Sequence, residues 1–435
     1  MRTCTLACRL LTCCVLVASV AVCDADDWPQ WRGLNRDGVI HEPGLMQTLP
    51  GDALPRRWTV PVGPGYSGPA VVDGRVFLTD RQADGAQQFE RILCFDADTG
   101  ETLWTQVYEA VYTIGYKAGP RASVTVHDDR ALAVGAMGHF HCLDVETGEV
   151  LWRRDLASEL DIQMPIWGIA GAPLVVQDKV IQIAGGKGAA CVIAMDLQSG
   201  ETVWSSLDEP AGYSAPILIR QGGQDVVVCW TGASVSGLDP QTGEVFWSIP
   251  LKPRNMPINV ATPVTDGEHL FVSSFYDGAM MIRLDSDRPA ATRMWHRIGR
   301  DEQNTDALHC MISSPFLQGD YVYGTDSYGE LRCLEIATGD RVWESDAVVP
   351  RARWATVHTI HDGSRLIMLN DQGELIFGRV SPSGYSEVAR TQLLSPTKIQ
   401  LPRRGGVTWS HPAIADGVIY ARNDEQLIAA SLQED

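Results

Sequence analysis

The chain has 435 residues, a formal charge of −19 and 45% hydrophobic residues, a length that alone accommodates two or three ordinary domains. So acidic a chain disfavours nucleic acid and anionic lipid surfaces as partners. Forty-one glycines and 24 prolines, with no long amphipathic helical pattern, exclude a helical bundle and point to an all-β, turn-rich fold.

Residues 1–25 read as an export signal: Arg2 and Arg9 are basic, Leu10 to Val22 is apolar, and small residues follow. The apolar run is too short for a permanent span. The mature chain is therefore expected to lack a transmembrane span and to be periplasmic or secreted. Cleavage after Ala21 or Ala25 fits. Cys23 offers a lipid anchor instead, although Val22 stands where a small residue is wanted. Residues 26–55 form a lead-in expected to pack on the domain that follows. Its segment Trp28-Pro-Gln-Trp31-Arg32 reads as a clamp, with both indoles packed onto the ring and the arginine paired to an acid, or as a ligand-facing patch.

From residue 56 to 435 the chain repeats. Its cleanest phrase is Cys142-Leu143-Asp144-Val145-Glu146-Thr147-Gly148-Glu149-Val150-Leu151-Trp152. Copies end at Trp104, Trp204, Trp247 and Trp343. Asp96, Asp144, Asp196 and Asp239 stand four residues before Gly100, Gly148, Gly200 and Gly243, and Glu335 takes that place before Gly339. The acid bonds turn amides, glycine supplies a positive φ, and a strand returns to the tryptophan, giving a hairpin. Trp58, Trp104, Trp152, Trp204, Trp247, Trp295 and Trp343 are 46, 48, 52, 43, 48 and 48 residues apart, a period typical of propeller blades. First strands of units begin near residues 67, 122, 170, 214, 261, 313, 356 and 410, often at a small residue before proline, as in Ser67-Gly-Pro69. A worn eighth last strand falls near Ala389-Arg390. The strand at Trp58 lacks three partners and the unit 411–432 lacks a fourth strand. The solution is an eight-bladed β-propeller of four-stranded antiparallel blades, closed into a ring by the N-terminal strand.

Loops that lead into the innermost strands form one face of such a ring. They carry Tyr66, Arg121, Trp167, Tyr213, Asn259, His309, Trp354, Trp409 and His411, a mixture suited to a planar or polar ligand or to plugging the channel. Other groups point to structure. Cys94, Cys142 and Cys333 share one hairpin slot on separate blades, too far apart for a disulfide. Cys191, Cys229 and Cys310 stand alone, so no disulfide framework is expected. His139/His141 and His358/His361 lack further metal ligands nearby. Gly185-Gly186-Lys187-Gly188 lacks phosphate-loop spacing and reads as a turn. No catalytic constellation emerges and no metal site is expected.

The Asp-x-x-Thr-Gly-Glu-x-x-Trp phrase resembles the tryptophan-docking repeat of the pyrroloquinoline quinone (PQQ) propellers, a resemblance covering nearly the whole exported chain. The opening Trp28-Pro-Gln-Trp31-Arg32-Gly33-x-Asn35-Arg36-Asp37-Gly38 is similar to the lead-in of exported propellers of this type from planctomycete-like bacteria. The family implies eight blades with the tryptophan packed between neighbours. It also implies one of two roles: quinoprotein alcohol dehydrogenases hold PQQ and Ca²⁺ in the channel, whereas BamB-like members hold no cofactor. The adjacent cysteine pair of those enzymes has no counterpart outside Cys13-Cys14 in the signal, and no Cys-x-x-Cys-His is present. The reading is therefore a non-catalytic, BamB-like binding scaffold in the cell envelope, without cofactor, with a protein or polysaccharide partner. The alternatives are a PQQ/Ca²⁺-dependent oxidoreductase acting on alcohols or sugars, and a ligand-sensing propeller.

Overall fold

A computed structural model describes residues 27–51 and 53–434. The export signal and the lipidation at Cys23 lie outside the described residues. No helix among the described residues is long and apolar enough to cross a membrane.

Among the described residues eight sheets form, seven antiparallel of four strands and one of five. Numbered along the chain from Ala70–Val72, the blades span 70–109, 125–155, 174–206, 217–250, 264–297, 316–345, 357–392 and 413–431. The last is completed by Arg56–Pro61, which pairs antiparallel with Gln426–Ser431 and sets Trp58 opposite Ala429. The ring thus closes through the N-terminal strand. Blade 7 gains a short parallel fifth strand, Val39–Ile40, from the lead-in. Its outer strand, Gly384–Gln392, places Ala389 opposite Phe377, in the slot that tryptophan fills elsewhere.

Each repeated phrase folds as a hairpin with a built-in register shift. In blade 1, Asp96 accepts from the Asp98 and Thr99 N–H groups and from the Thr99 hydroxyl (3.1, 2.8 and 2.8 Å), and these bonds hold its carboxyl below the usual range. Gly100 donates its N–H to the Asp96 carbonyl at 2.9 Å with φ of 75°. A one-residue bulge then lies beside the tryptophan, between Cys94 and Phe95. The slot opposite the indole takes Cys94, Cys142, Ala194, Gly237 or Cys333, which explains the recurring cysteine. All six cysteines among the described residues are buried and unpaired.

The indoles join the blades. Trp58, Trp104, Trp152, Trp204, Trp295 and Trp343 donate across to carbonyls of Ala97, Val145, Leu197, Pro240, Ile336 and Ser381 in the following blade, at 2.8–3.1 Å. Five rest against the turn glycine of that blade. A Cβ on Gly100, Gly148, Gly200, Gly243 or Gly339 would meet the indole at 2.5–2.9 Å. Glycine is thus required twice, for its positive φ and for this approach. Burying one such indole contributes on the order of 4 kcal/mol before entropy is counted.

The lead-in crosses the ring axis. Trp28 is buried and bridges Val71, and Pro29 accepts from Val126. Arg36 donates to carbonyls of Ala172 (3.2 Å), Pro216 (2.9 Å) and Pro173. Arg32 departs from the sequence expectation: it donates to the carbonyls of Arg36 and Asp37 (3.2 and 2.6 Å), not to a carboxylate. The lead-in folds its own carbonyls onto Arg32, while carbonyls just before two inner strands satisfy Arg36; the Asp37 carboxylate is turned to the Val39 N–H. Burial lowers Arg36 to about 9 and Arg32 to about 10.

Candidate functional site

The loops that feed the innermost strands are pinned from behind. Asp80 is buried within the long second strand of blade 1, and Asp326, Asp371 and Asp424 are buried just past the second strands of their blades; they accept N–H groups from Gly63, His309, Thr356 and Ile399. Arg91, Arg332 and Arg404 neutralise the first three. The loops are thereby held rigidly enough to position large side chains over the axis.

Those side chains enclose a chamber with about 130 Å³ open to the centres of water molecules, far beyond the roughly 10–15 Å³ one water needs. Its roof is aromatic. Trp167 and Trp354 come from blades on opposite sides of the ring, yet their rings lie 6.5 Å apart. Tyr116 stands edge-on to both at 5.8 Å. Tyr213 packs on Trp167 at 5.1 Å, and Trp409 lies between Trp354 and Tyr66. Tyr116 (φ 53°) and Trp354 (φ 65°) both sit in the left-handed region, a strained choice for bulky residues. The floor is Trp31 of the lead-in, whose N–H donates to Thr262 at 2.6 Å and whose ring stands edge-on to His411 at 4.5 Å.

Most polar groups of the chamber are already engaged, although the buried indole N–H groups of Trp354 and Trp409 have no partner. Arg121 donates to the carbonyls of Gly115 (2.9 Å), Tyr116 (2.6 Å) and Gly119 and lies over the Tyr66 ring at 4.9 Å. The Tyr66 hydroxyl donates to the Gln400 carbonyl at 2.9 Å, and burial pushes its pKa up. His411 shares a hydrogen bond with Ser123 at 2.7 Å, and His358 bonds the Trp409 carbonyl at 2.8 Å. Desolvation drives these imidazoles down, to about 3 for His411 and about 4 for His358, so both are neutral at pH 7. What remains facing the space is apolar and flat.

Seven of the nine residues expected at the channel mouth line this chamber: Tyr66, Arg121, Trp167, Tyr213, Trp354, Trp409 and His411. Asn259 and His309 do not. Asn259 donates to the Trp230 and Thr231 carbonyls. His309 bonds the Phe275 carbonyl and accepts from the Gly299 N–H. Both brace loops. A repeat slot accounts for much of the lining. Tyr66, Arg121, Ala170, Tyr213, Val260, Ile312, Trp354 and Trp409 each stand three residues before the proline, or its replacement, of their blade, and all eight line the chamber. Asn259 and His309 are one and three residues out of that slot. Selecting residues by slot finds Ala170, Val260 and Ile312, which selection by side-chain chemistry passes over. Trp31, Tyr116, Trp167 and His411 line the chamber from outside the slot.

A family model described as outer membrane protein assembly factor BamB matches residues 88–345, more than half of the chain. The chain belongs to this family. No curated protein sequence matches it. BamB from Moraxella catarrhalis is 15% identical with a TM-score of 0.58, over 87% of this chain and 99% of that one. The quinohemoprotein alcohol dehydrogenase from Comamonas testosteroni is 14% identical with a TM-score of 0.63, over 94% of this chain and 81% of that one. The computationally designed Ika8 protein is 9% identical with a TM-score of 0.53, over 87% and 98%. At these identities the likeness establishes the propeller fold that the BamB family shares with quinoprotein dehydrogenases.

The chamber residues do not fit a PQQ–Ca²⁺ pair. Ca²⁺ takes six to eight oxygen ligands, with carboxylates among them, and no Asp or Glu lines the chamber. PQQ is a planar tricarboxylate, and the single cationic side chain there, Arg121, already gives three N–H groups to carbonyls.

Proposed function

We propose that this protein is a non-catalytic binding scaffold of the cell envelope, and that its axial chamber takes an apolar ring or side chain presented by a partner protein. The observation that carries the reading is the chamber itself: a cage of aromatic rings whose hydrogen-bonding groups are mostly satisfied internally, the buried indole N–H groups of Trp354 and Trp409 being the exceptions. A hydroxyl-rich sugar finds few free donors or acceptors there, so an apolar group of a protein is favoured over a polysaccharide. Membership of the BamB family and the export-signal pattern of residues 1–25 support the envelope setting.

Calorimetry of the exported form tests the reading against the quinoprotein alternative. PQQ with CaCl₂ should give no saturable heat, and no dye-linked oxidation of alcohols or sugars should follow. Stoichiometric binding with turnover would replace the scaffold by an oxidoreductase. Indole, as a free probe ring, should quench or shift tryptophan emission saturably, and Val260→Trp, which fills the chamber, should abolish that response.

A further inference from the structure

A propeller presents one open strand edge per blade, and such edges are ordinarily defended. Here the outer strands Val150–Asp155, Ala291–Arg297, Arg341–Ser345, Gly384–Gln392 and Arg56–Pro61 carry arginine. Val245–Pro250 ends on proline, and Thr202–Ser206 is five residues long. Thr102–Glu109 of blade 1 is different. It runs for eight residues without Lys, Arg or Pro, beside the longest central hairpin of the ring, Arg75–Asp84 and Gln87–Asp96.

The chemistry of this edge is specific. The Ala110 N–H donates to the Gln88 carbonyl at 2.8 Å, and the register sets Glu109 against Phe89 and Tyr108 against Glu90. Even-numbered residues therefore turn their amide groups to the neighbouring strand, and Thr105, Val107 and Glu109 turn theirs outward. The side chains of those three residues share the solvent-facing side. Leu103, Val107 and Val111 are 44%, 48% and 50% exposed, with Glu101 and Glu109 exposed around them. The opposite face is fixed by the buried Glu90, which accepts from Tyr108 at 2.6 Å and from Tyr112.

We infer that Thr102–Glu109 is a docking edge for an extended segment of a partner protein that is apolar at alternate positions and basic at its flanks. Unpaired backbone amides select an extended strand, and strand addition supplies affinity through main-chain hydrogen bonds. Val107 and its neighbours select apolar side chains on the exposed face. Glu101, Glu109 and the chain's charge of −19 select basic flanks. The same charges disfavour a second copy: antiparallel self-pairing about Thr105 sets Glu101 against Glu109 at both ends. This edge is separate from the axial chamber, and the inference stands whichever ligand the chamber takes.

The test uses the exported chain and two synthetic octapeptides, KTVTVTVK and ETVTVTVE. The basic peptide should bind saturably by anisotropy, and should slow amide hydrogen exchange across 102–110 at least tenfold. Val107→Pro removes an outward N–H and no ladder bond, and should weaken binding at least tenfold with an unchanged thermal midpoint. Val107→Lys keeps the backbone donor, serves if the proline variant does not fold, and should weaken the basic peptide comparably. Equal binding of the acidic peptide, protection elsewhere in the ring, indifference to both variants or absence of binding would overturn the inference. So would a dimer in sedimentation that Val107→Lys dissolves, because the occupant would then be a second copy.

Discussion

The indole N–H of Trp247 donates to the side-chain carbonyl of Gln221 at 3.0 Å, within its own blade, where the other six docking tryptophans reach a backbone carbonyl of the next blade. Gln221 completes the span. Its amide N–H groups donate to the Ala290 and Asp285 carbonyls of blade 5 at 2.6 and 3.3 Å. The turn there, Asp285-Ser-Asp-Arg-Pro289, has lost the Thr-Gly pattern, and no carbonyl receives the indole directly. Gln221→Ala should leave the buried indole N–H unpaired, while the Ala290 carbonyl keeps the Asp285 N–H, and should destabilise the protein by about 1–3 kcal/mol, read as a lower denaturant midpoint. Gln221→Glu keeps the acceptor but loses the amide donor, and should recover little.

Glycine docking yields a paired prediction. Gly148 (φ 71°) would place a Cβ 2.5 Å from the Trp104 indole, whereas Gly74 (φ 70°) faces open space. Gly74→Ala should cost about 1–2 kcal/mol for the left-handed backbone alone. Gly148→Ala adds the displacement of an indole and should cost clearly more, with tryptophan emission shifted to the red. Equal costs would mean that the indole does not rest on the turn.

Acid should weaken the ring before it titrates the surface carboxylates. Burial holds His141, His358 and His361 near 4 and His411 near 3, against an ordinary 6.5. These groups are neutral when folded, and the unfolded chain binds more protons as pH falls from 6.5 towards 4. Stability is therefore full above pH 6.5 and is lost progressively through that window. Thermal midpoints at pH 7, 5.5 and 4.5 should fall in that order, and His411→Asn should flatten the dependence.

The roof makes a further prediction about binding. Tyr116 touches both Trp167 and Trp354 and is only half-buried. Tyr116→Gly removes the ring and relieves the positive φ, so it should weaken indole binding at least several-fold while stability holds or rises. A loss of stability instead would make the roof a packing element.

Much of this architecture was legible because it repeats. Period, hairpin phrase and ring closure follow from Trp58 through Trp343, and even the worn strand at Ala389 fell where its spacing predicted. Devices that do not repeat were hidden. Gln221 resembles any turn-flanking glutamine until the decayed turn of blade 5 is beside it. Arg32 looks like a partner for a carboxylate, because neither the lead-in carbonyls it bonds nor the carbonyls from two blades that Arg36 gathers leave a mark in sequence. The chamber was half legible: aromatic residues advertise themselves, but Ala170, Val260 and Ile312 matter as the small members of a ring whose common slot only the alignment of blades reveals.

The path of the lead-in also sets an orientation. Asp27 lies beside the Asp73–Gly74 turn, whose Asp73 N–H it accepts at 3.4 Å, at the far end of the inner strand from Tyr66. Trp31 then stops the channel from that side. Any tether joined upstream would moor the disc by its stoppered underside, leaving the aromatic roof turned outward to whatever approaches from the far side.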